Sequence, residues 1–128
     1  MIKQNLAQLL VDATLQAIAS VSASGNSAKV DLNDYEGEVA LFMSALNTAG
    51  TNPTLDCKVQ DSADNSSFAD VAGATFTQVT SGAGTRQKLA FRKDQNRRYI
   101  QLVFTIGGTS SPAYTISAFV AGTKKVET

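Results

Sequence analysis

The chain has 128 residues, 43% apolar and only 17% charged, and its 11 Lys plus Arg balance 11 Asp plus Glu to a formal net charge of zero. That length suits one domain with a core of its own, while neutrality removes the long-range field that would favour nucleic acid or an anionic membrane as partner. With one Cys, no His and no Trp, an intrachain disulfide scaffold is excluded, and the commonest general base and metal ligand is missing.

Residues Met1 to about Ala13 stand apart as an N-terminal arm, because Ile2, Leu6, Leu9 and Leu10 fall near the i, i+4, i+7 and i+8 positions of one helical face. Gln4, Asn5, Gln8, Asp12 and Gln16 interrupt any apolar core, so the segment does not read as a secretory leader. No run approaches the ~20 apolar residues of a membrane span. The arm is shorter than the ~12–15 residues at which isolated helices become marginal, so it is expected to order only against its own sheet or a neighbour.

From Thr14 to Val120 short apolar/polar alternations are punctuated by Gly, Asn, Asp, Ser and Thr. Thr14 to Ala23 is expected to turn Leu15, Ala17, Ala19 and Val21 inward. A turn at Gly25-Asn26 then leads to a return strand carrying Val30 and Leu32, which together make a first hairpin. Gly37 to Asn47 contains the continuous run Val39-Ala40-Leu41-Phe42-Met43 and reads as a strand covered on both faces; Gly50 and Asn52-Pro53 are expected to end it. Thr54 to Asp61 alternates cleanly, with Leu55, Cys57 and Val59 inward, before a polar turn from Asp61 to Ser67.

Phe68 and Val71, then Phe76 and Val79, mark weaker strand signals, and Ser81 to Thr85 reads as a flexible loop. Arg86 to Arg92 brings Leu89 and Phe91 inward, Asp94-Gln95-Asn96 turns, and Arg97 to Ile106 places Ile100, Leu102, Phe104 and Ile106 on one face. After a turn over Gly107 to Pro112, Tyr114, Ile116, Ala118 and Val120 share the last inward face. The predicted organisation is an arm at 1–13, a domain at 14–122 and a tail at 123–128. About eight strands without intervening helices argue for an all-β, two-sheet β-sandwich of jelly-roll type, with Leu41, Leu55, Leu89, Leu102, Phe104 and Ile116 in its core.

Little in this pattern carries chemistry. Cys57 lies in the inward register with no base to lower its pKa, so it reads as a core residue and not a nucleophile. Asp61, Asp64 and Asn65 lack the alternating ligands, the Gly and the terminal Glu of a calcium loop and read as a solvated turn. Arg86, Lys88, Arg92, Lys93, Arg97 and Arg98 make a locally basic stretch without interleaved aromatics, so no nucleic-acid groove is expected. A solvated face is the first expectation for it, and a polar interface the second. Asp31, Asp34, Glu36 and Glu38 form a contrasting acidic stretch with no spacing that would set two carboxylates across a cleft; the two stretches could meet across a subunit boundary. The expectation is a protein that is not an enzyme and takes no cofactor or metal.

The runs Val30-Asp31-Leu32-Asn33-Asp34-Tyr35-Glu36-Gly37 and Asn52-Pro53-Thr54-Leu55-Asp56-Cys57-Lys58-Val59-Gln60-Asp61-Ser62, followed by Phe68-Ala69-Asp70-Val71 and Arg98-Tyr99-Ile100-Gln101 before a Gly-rich turn, together resemble small proteins of tailed bacteriophages that accompany the major capsid protein. The resemblance covers about Val30 to Val120. It implies a head decoration, or cement, protein: a β-sandwich, made in the host cytoplasm, that binds the outer surface of the icosahedral shell and clamps adjacent capsomers. Its partners would be the major capsid protein and itself, as a homodimer or homotrimer, with no nucleic acid and no membrane. The resemblance brings no contact residues, so interface candidates come from the chain itself: Ile2, Leu6, Leu9 and Leu10 for apolar burial, and Arg92, Arg97 and Arg98 for orientation. The rival expectation is a carbohydrate- or receptor-binding module of a phage particle, against which stand the missing Trp and the scattered Tyr35, Tyr99 and Tyr114.

Overall fold

The computed structural model describes residues 10–81, 84–92 and 97–124. Seven antiparallel strands account for most of them: β1 (Leu10–Val21), β2 (Gly25–Asn26), β3 (Val30–Asp31), β4 (Tyr35–Ser62), β5 (Ala69–Thr75), β6 (Thr85–Arg92) and β7 (Tyr99–Lys124). Among the described residues the only helical element is the single 3₁₀ turn Leu32–Asp34, whose first amide donor at Asn33 is capped by the Asp31 carboxylate at 2.9 Å.

Strands β4 and β7 form one long ladder that runs from Tyr35 opposite Lys124 to Ser62 opposite Tyr99. The ladder folds at its middle, so each strand serves two layers. One layer has the order β1, residues 113–124 of β7, residues 35–49 of β4, then β6. The other has β2 with β3, residues 99–107 of β7, residues 54–62 of β4, then β5. With β2 and β3 taken together as one edge, these are eight segments, the number of a jelly roll. The fold class is therefore the all-β, jelly-roll-like sandwich that the alternation predicts.

Several local expectations are corrected. The turns expected at 48–53 and 107–112 are bends inside continuous strands. Gly50 (φ +108°) and Asn52 (φ +48°) on β4 face Gly108 (φ +114°), Ser110 (φ +60°) and Ser111 (φ +55°) on β7. Because both partners bend at the same level, the ladder resumes beyond them with register shifts between Asn47 and Thr54. The expected first hairpin does not form. Gly25 and Asn26 pair with Phe104 and Val103 as a strand, and β1 and β3 lie in different layers, joined at the corner by the Ala28 amide donating to the Leu15 carbonyl at 2.9 Å.

Ala17 and Ala19 are exposed, because register shifts between Thr14 and Ala19 re-aim β1 after Leu15. The expected arm runs into β1 at Leu10, so only residues 1–9 of it lie outside the described residues, as do the turn at Asp94-Gln95-Asn96 and most of the expected tail.

The remaining inward faces meet in one core. Leu41, Leu55, Leu102 and Ile116 are fully buried, Phe104 nearly so, and Leu89 packs against them while half-buried. The segment after β5 closes the sandwich. Leu55 and Val79 exchange both backbone hydrogen bonds at 2.8 and 2.9 Å, and the buried Tyr114 hydroxyl of the other layer donates to the Val79 carbonyl at 2.9 Å. One carbonyl thus ties the two layers together.

Candidate interaction surfaces

Cys57 sits between Leu55 and Val59 in the core, and burial, followed by the nearby Asp56 carboxylate, pushes its thiol up to about 12. It stays protonated at neutral pH and lacks the reactivity of a thiolate. Among the described residues no group of three or more His, Cys, Asp or Glu side chains could hold a metal ion.

Asp64 behaves as the turn residue expected. Its carboxylate accepts from the Ser66 and Ser67 amides at 2.9 Å and from the Ser62 hydroxyl at 2.8 Å, an Asx-type arrangement in which the side chain replaces a backbone acceptor. Those bonds, the Ser67 amide first, lower its carboxyl to about 2. The depressed folded value means that the stabilisation is present above the ordinary aspartate pKa and is lost as pH falls from about 4 toward 2. Thermal melts taken through this window should show a progressive fall in stability, and Asp64→Ala should flatten that part of the profile. An unchanged profile in the variant would mean the bonds form equally well to the protonated group.

Asp61 is not a solvated turn residue, and here the expectation is corrected. It is 7% exposed and takes the Arg97 amide at 3.1 Å and the Arg97 Nε at 2.9 Å, while Arg97 Nη2 reaches its backbone carbonyl at 2.9 Å. Arg98 makes a bidentate pair with Asp31 at 2.8 and 2.7 Å and lies 5.0 Å from the Tyr99 ring centroid. The Asp31 hydrogen bonds raise the guanidinium's proton affinity further. The basic and acidic stretches therefore meet within one chain through Asp31 and Arg98.

Arg92 ends β6 opposite Glu38. The three interface arginines and Leu10, where the arm joins β1, share one end of the sandwich, since β3, the end of β6, the Leu10–Thr123 end of the β1–β7 ladder and both ends of the folded β4–β7 ladder converge there. Ile2, Leu6 and Leu9 lie outside the described residues.

The outer faces of the two layers differ sharply. On the β5 side the outward residues form a polar network: Lys58 and Gln60 donate to Asp70 at 3.0 and 2.8 Å, Gln101 donates to Gln60 at 2.9 Å, and Gln78 donates to Asp56 at 3.1 Å. The Gln60 bond leads in holding the Asp70 carboxyl below its usual range.

On the β1–β6 side the outward residues of the two central strands, from Ala40 to Leu46 on β4 and from Thr115 to Ala121 on β7, are apolar or small, with Arg86 and Lys88 at the β6 margin and Asp12 at the β1 margin. Phe42 and Phe119 stack with centroids 4.9 Å apart at 16°, flanked by Ala40, Ala90 and Ala121 on one side and by Ser44 and Ser117 on the other. Ile18, Leu46 and Phe119, exposed by 76%, 45% and 44%, are the large exposed apolar side chains of the described structure, and all three lie on this face. A cleft of about 380 Å³ runs between Ile18 and the Gly84–Arg86 margin over Leu46, Thr115 and Ser117.

Sequence reasoning missed this face. The continuous run from Val39 to Met43 carries the signal, but a run apolar on both sides predicts cover on both faces. Val39, Leu41 and Met43 are buried, while Phe42 stacks outward on Phe119 and stays partly open to solvent.

No protein-family model and no curated protein sequence matches the chain. Its fold recurs in solved structures. A chain of the Gt strain of infectious bursal disease virus superposes with a TM-score of 0.59 at 10% identity over 89% of this chain, which spans only about a third (33%) of that viral chain. The SPBc2 prophage-derived protein YomS matches with a TM-score of 0.52 at 7% identity, covering 88% of this chain and 93% of that one. The CBM22-1 xylan-binding domain of Paenibacillus barcinonensis Xyn10C matches with a TM-score of 0.51 at 14% identity, covering 97% and 91%. The jelly-roll sandwich of this chain is thus a fold it shares with viral, prophage-derived and carbohydrate-binding domains.

Proposed function

We propose that this chain is a structural virion protein that decorates the outside of an icosahedral phage capsid and stabilises it by clamping adjacent capsomers. The observation that carries the reading is the apolar outer face of the β1–β6 layer, a surface built for assembly with another protein molecule, on a charge-neutral body. Exposed contiguous apolar area of this kind marks interaction sites. Viral and prophage-derived domains among its fold neighbours support the reading, and so does the resemblance of the Val30 to Val120 segment to phage proteins that accompany the major capsid protein. Binding the assembled shell and not its separated subunits lowers the shell's free energy by mass action. The arm would add apolar burial across a capsomer boundary, and the arginine end would set orientation.

The test is to add the purified protein to undecorated capsids of the parent phage and measure copies bound per shell and the temperature at which shells burst. Saturable occupancy with a raised bursting temperature is expected, and deleting residues 1–9, which leaves β1 whole, should lower occupancy. No binding by the full chain overturns the reading; equal occupancy by the truncated chain removes the arm from it. The rival reading, a carbohydrate-binding module, draws on the fold shared with a xylan-binding domain and on the Ser- and Thr-bearing cleft. Retention on an insoluble polysaccharide together with failure on capsids would establish it instead.

A further inference from the structure

We infer that the apolar outer face of the β1–β6 layer is covered by the same face of a second copy, about a two-fold axis that runs parallel to the strands between β4 and β7. The face is organised in rows across the four strands. Lys88, Phe42, Phe119 and Thr14 form one row, and Ala90, Ala40, Ala121 and Asp12 the next. A two-fold along the strands keeps each row opposite itself with its order reversed. The stacked Phe42–Phe119 pair then lies over the partner's Phe119–Phe42 pair, and the alanine row lies over its own mate, where small side chains let two sheets approach to the ~10 Å of face-to-face packing.

Charge selects this axis. The β6 margin carries Arg86 and Lys88, whereas the outward β1 margin carries Asp12 and Thr14. An axis along the strands lays β6 of one copy on β1 of the other and puts Lys88 one row from the partner's Asp12. An axis across the strands would lay β6 on β6 and stack cation on cation, which is unfavourable.

Shape agrees with it. Ile18, the most exposed of the large apolar side chains at 76%, projects at the β1 margin on the level of the cleft. Its two-fold position is the opposite margin at Arg86, which with Gly84 and Thr85 forms the far wall of the cleft. Each Ile18 thus enters the partner's cleft.

The area suffices as well. Four strands ~4.8 Å apart, followed from Glu38 to Leu46 at ~3.3 Å per residue, span on the order of 550 Å² in plan. Side-chain relief brings that toward the ~800 Å² per partner of a standard interface.

A dimer through this face leaves the arm and the arginine end to meet the shell, so the two readings fail separately: a dimer that ignores capsids removes only the capsid reading, and a monomer that decorates them removes only this one. Sedimentation equilibrium of the full chain should give a dimer. Ile18→Glu and Phe119→Glu, both at exposed positions, should each raise the dissociation constant ~10-fold or more with an unchanged far-ultraviolet spectrum. Asp12→Lys should weaken the dimer, and the double variant Asp12→Lys/Lys88→Asp should recover part of the loss. A monomer at every concentration up to the solubility limit overturns the inference. A dimer indifferent to Ile18→Glu and Phe119→Glu overturns the surface, and absence of recovery in the double variant overturns the axis.

Discussion

Replacing Phe104 by Ala should destabilise the chain by ~3–5 kcal/mol, the range for truncating a buried aromatic side chain, and lower the melting temperature by roughly 10–20 °C for a domain of this size. The ring is 5% exposed, and its residue pairs with Cys57 on one side and Gly25 on the other. The ring tip reaches Gly25, where an added side-chain carbon would lie in ordinary contact with it at 3.5 Å. Truncation therefore leaves a cavity between β2 and β4 that two rigid ladders cannot close. Differential scanning calorimetry checks the value, and a shift of only a degree or two would place the ring outside the core.

Gly50→Ala should be comparably damaging, by ~3 kcal/mol or more, for a different reason. Its φ of +108° is strained for any residue with a side chain, at ~1–3 kcal/mol. The added carbon would also lie 2.6 Å from the Pro112 Cα, a backbone atom of the facing bend that cannot rotate away. The clash falls where both long strands fold from one layer into the other, so the variant strains the whole sandwich and not a surface loop. Gly37→Ala is the control: φ there is +74°, but no atom lies within 4 Å of the added carbon, so only the backbone strain remains. Chemical denaturation of both should rank Gly50→Ala well below Gly37→Ala; equal losses would mean the bend can open.

The inward register was legible along most of the chain because it is local. Leu55-Cys57-Val59, Ile100-Leu102-Phe104 and Tyr114-Ile116-Ala118-Val120 alternate with period two, and each of these side chains is buried. The same locality made Cys57 readable as a core residue and Asp64 as a turn residue, since neighbouring positions decide both. Partners distant in sequence were not legible. The ion pairs Asp31–Arg98 and Asp61–Arg97 join residues 67 and 36 positions apart, and nothing in either local stretch says that the other lies beside it. Gly50 and Gly108 read as strand ends, because a positive φ on one strand looks like a stop until the strand beside it bends at the same level. Whether the outward side of Val39 to Met43 is covered was also undecidable from periodicity, since an apolar residue on a second face looks the same whether another layer or another molecule covers it. Alternation along a strand is set by the pleat, which the residues themselves carry, whereas pairing, bending and exposure depend on what the completed ladder brings alongside, and only the folded chain decides that.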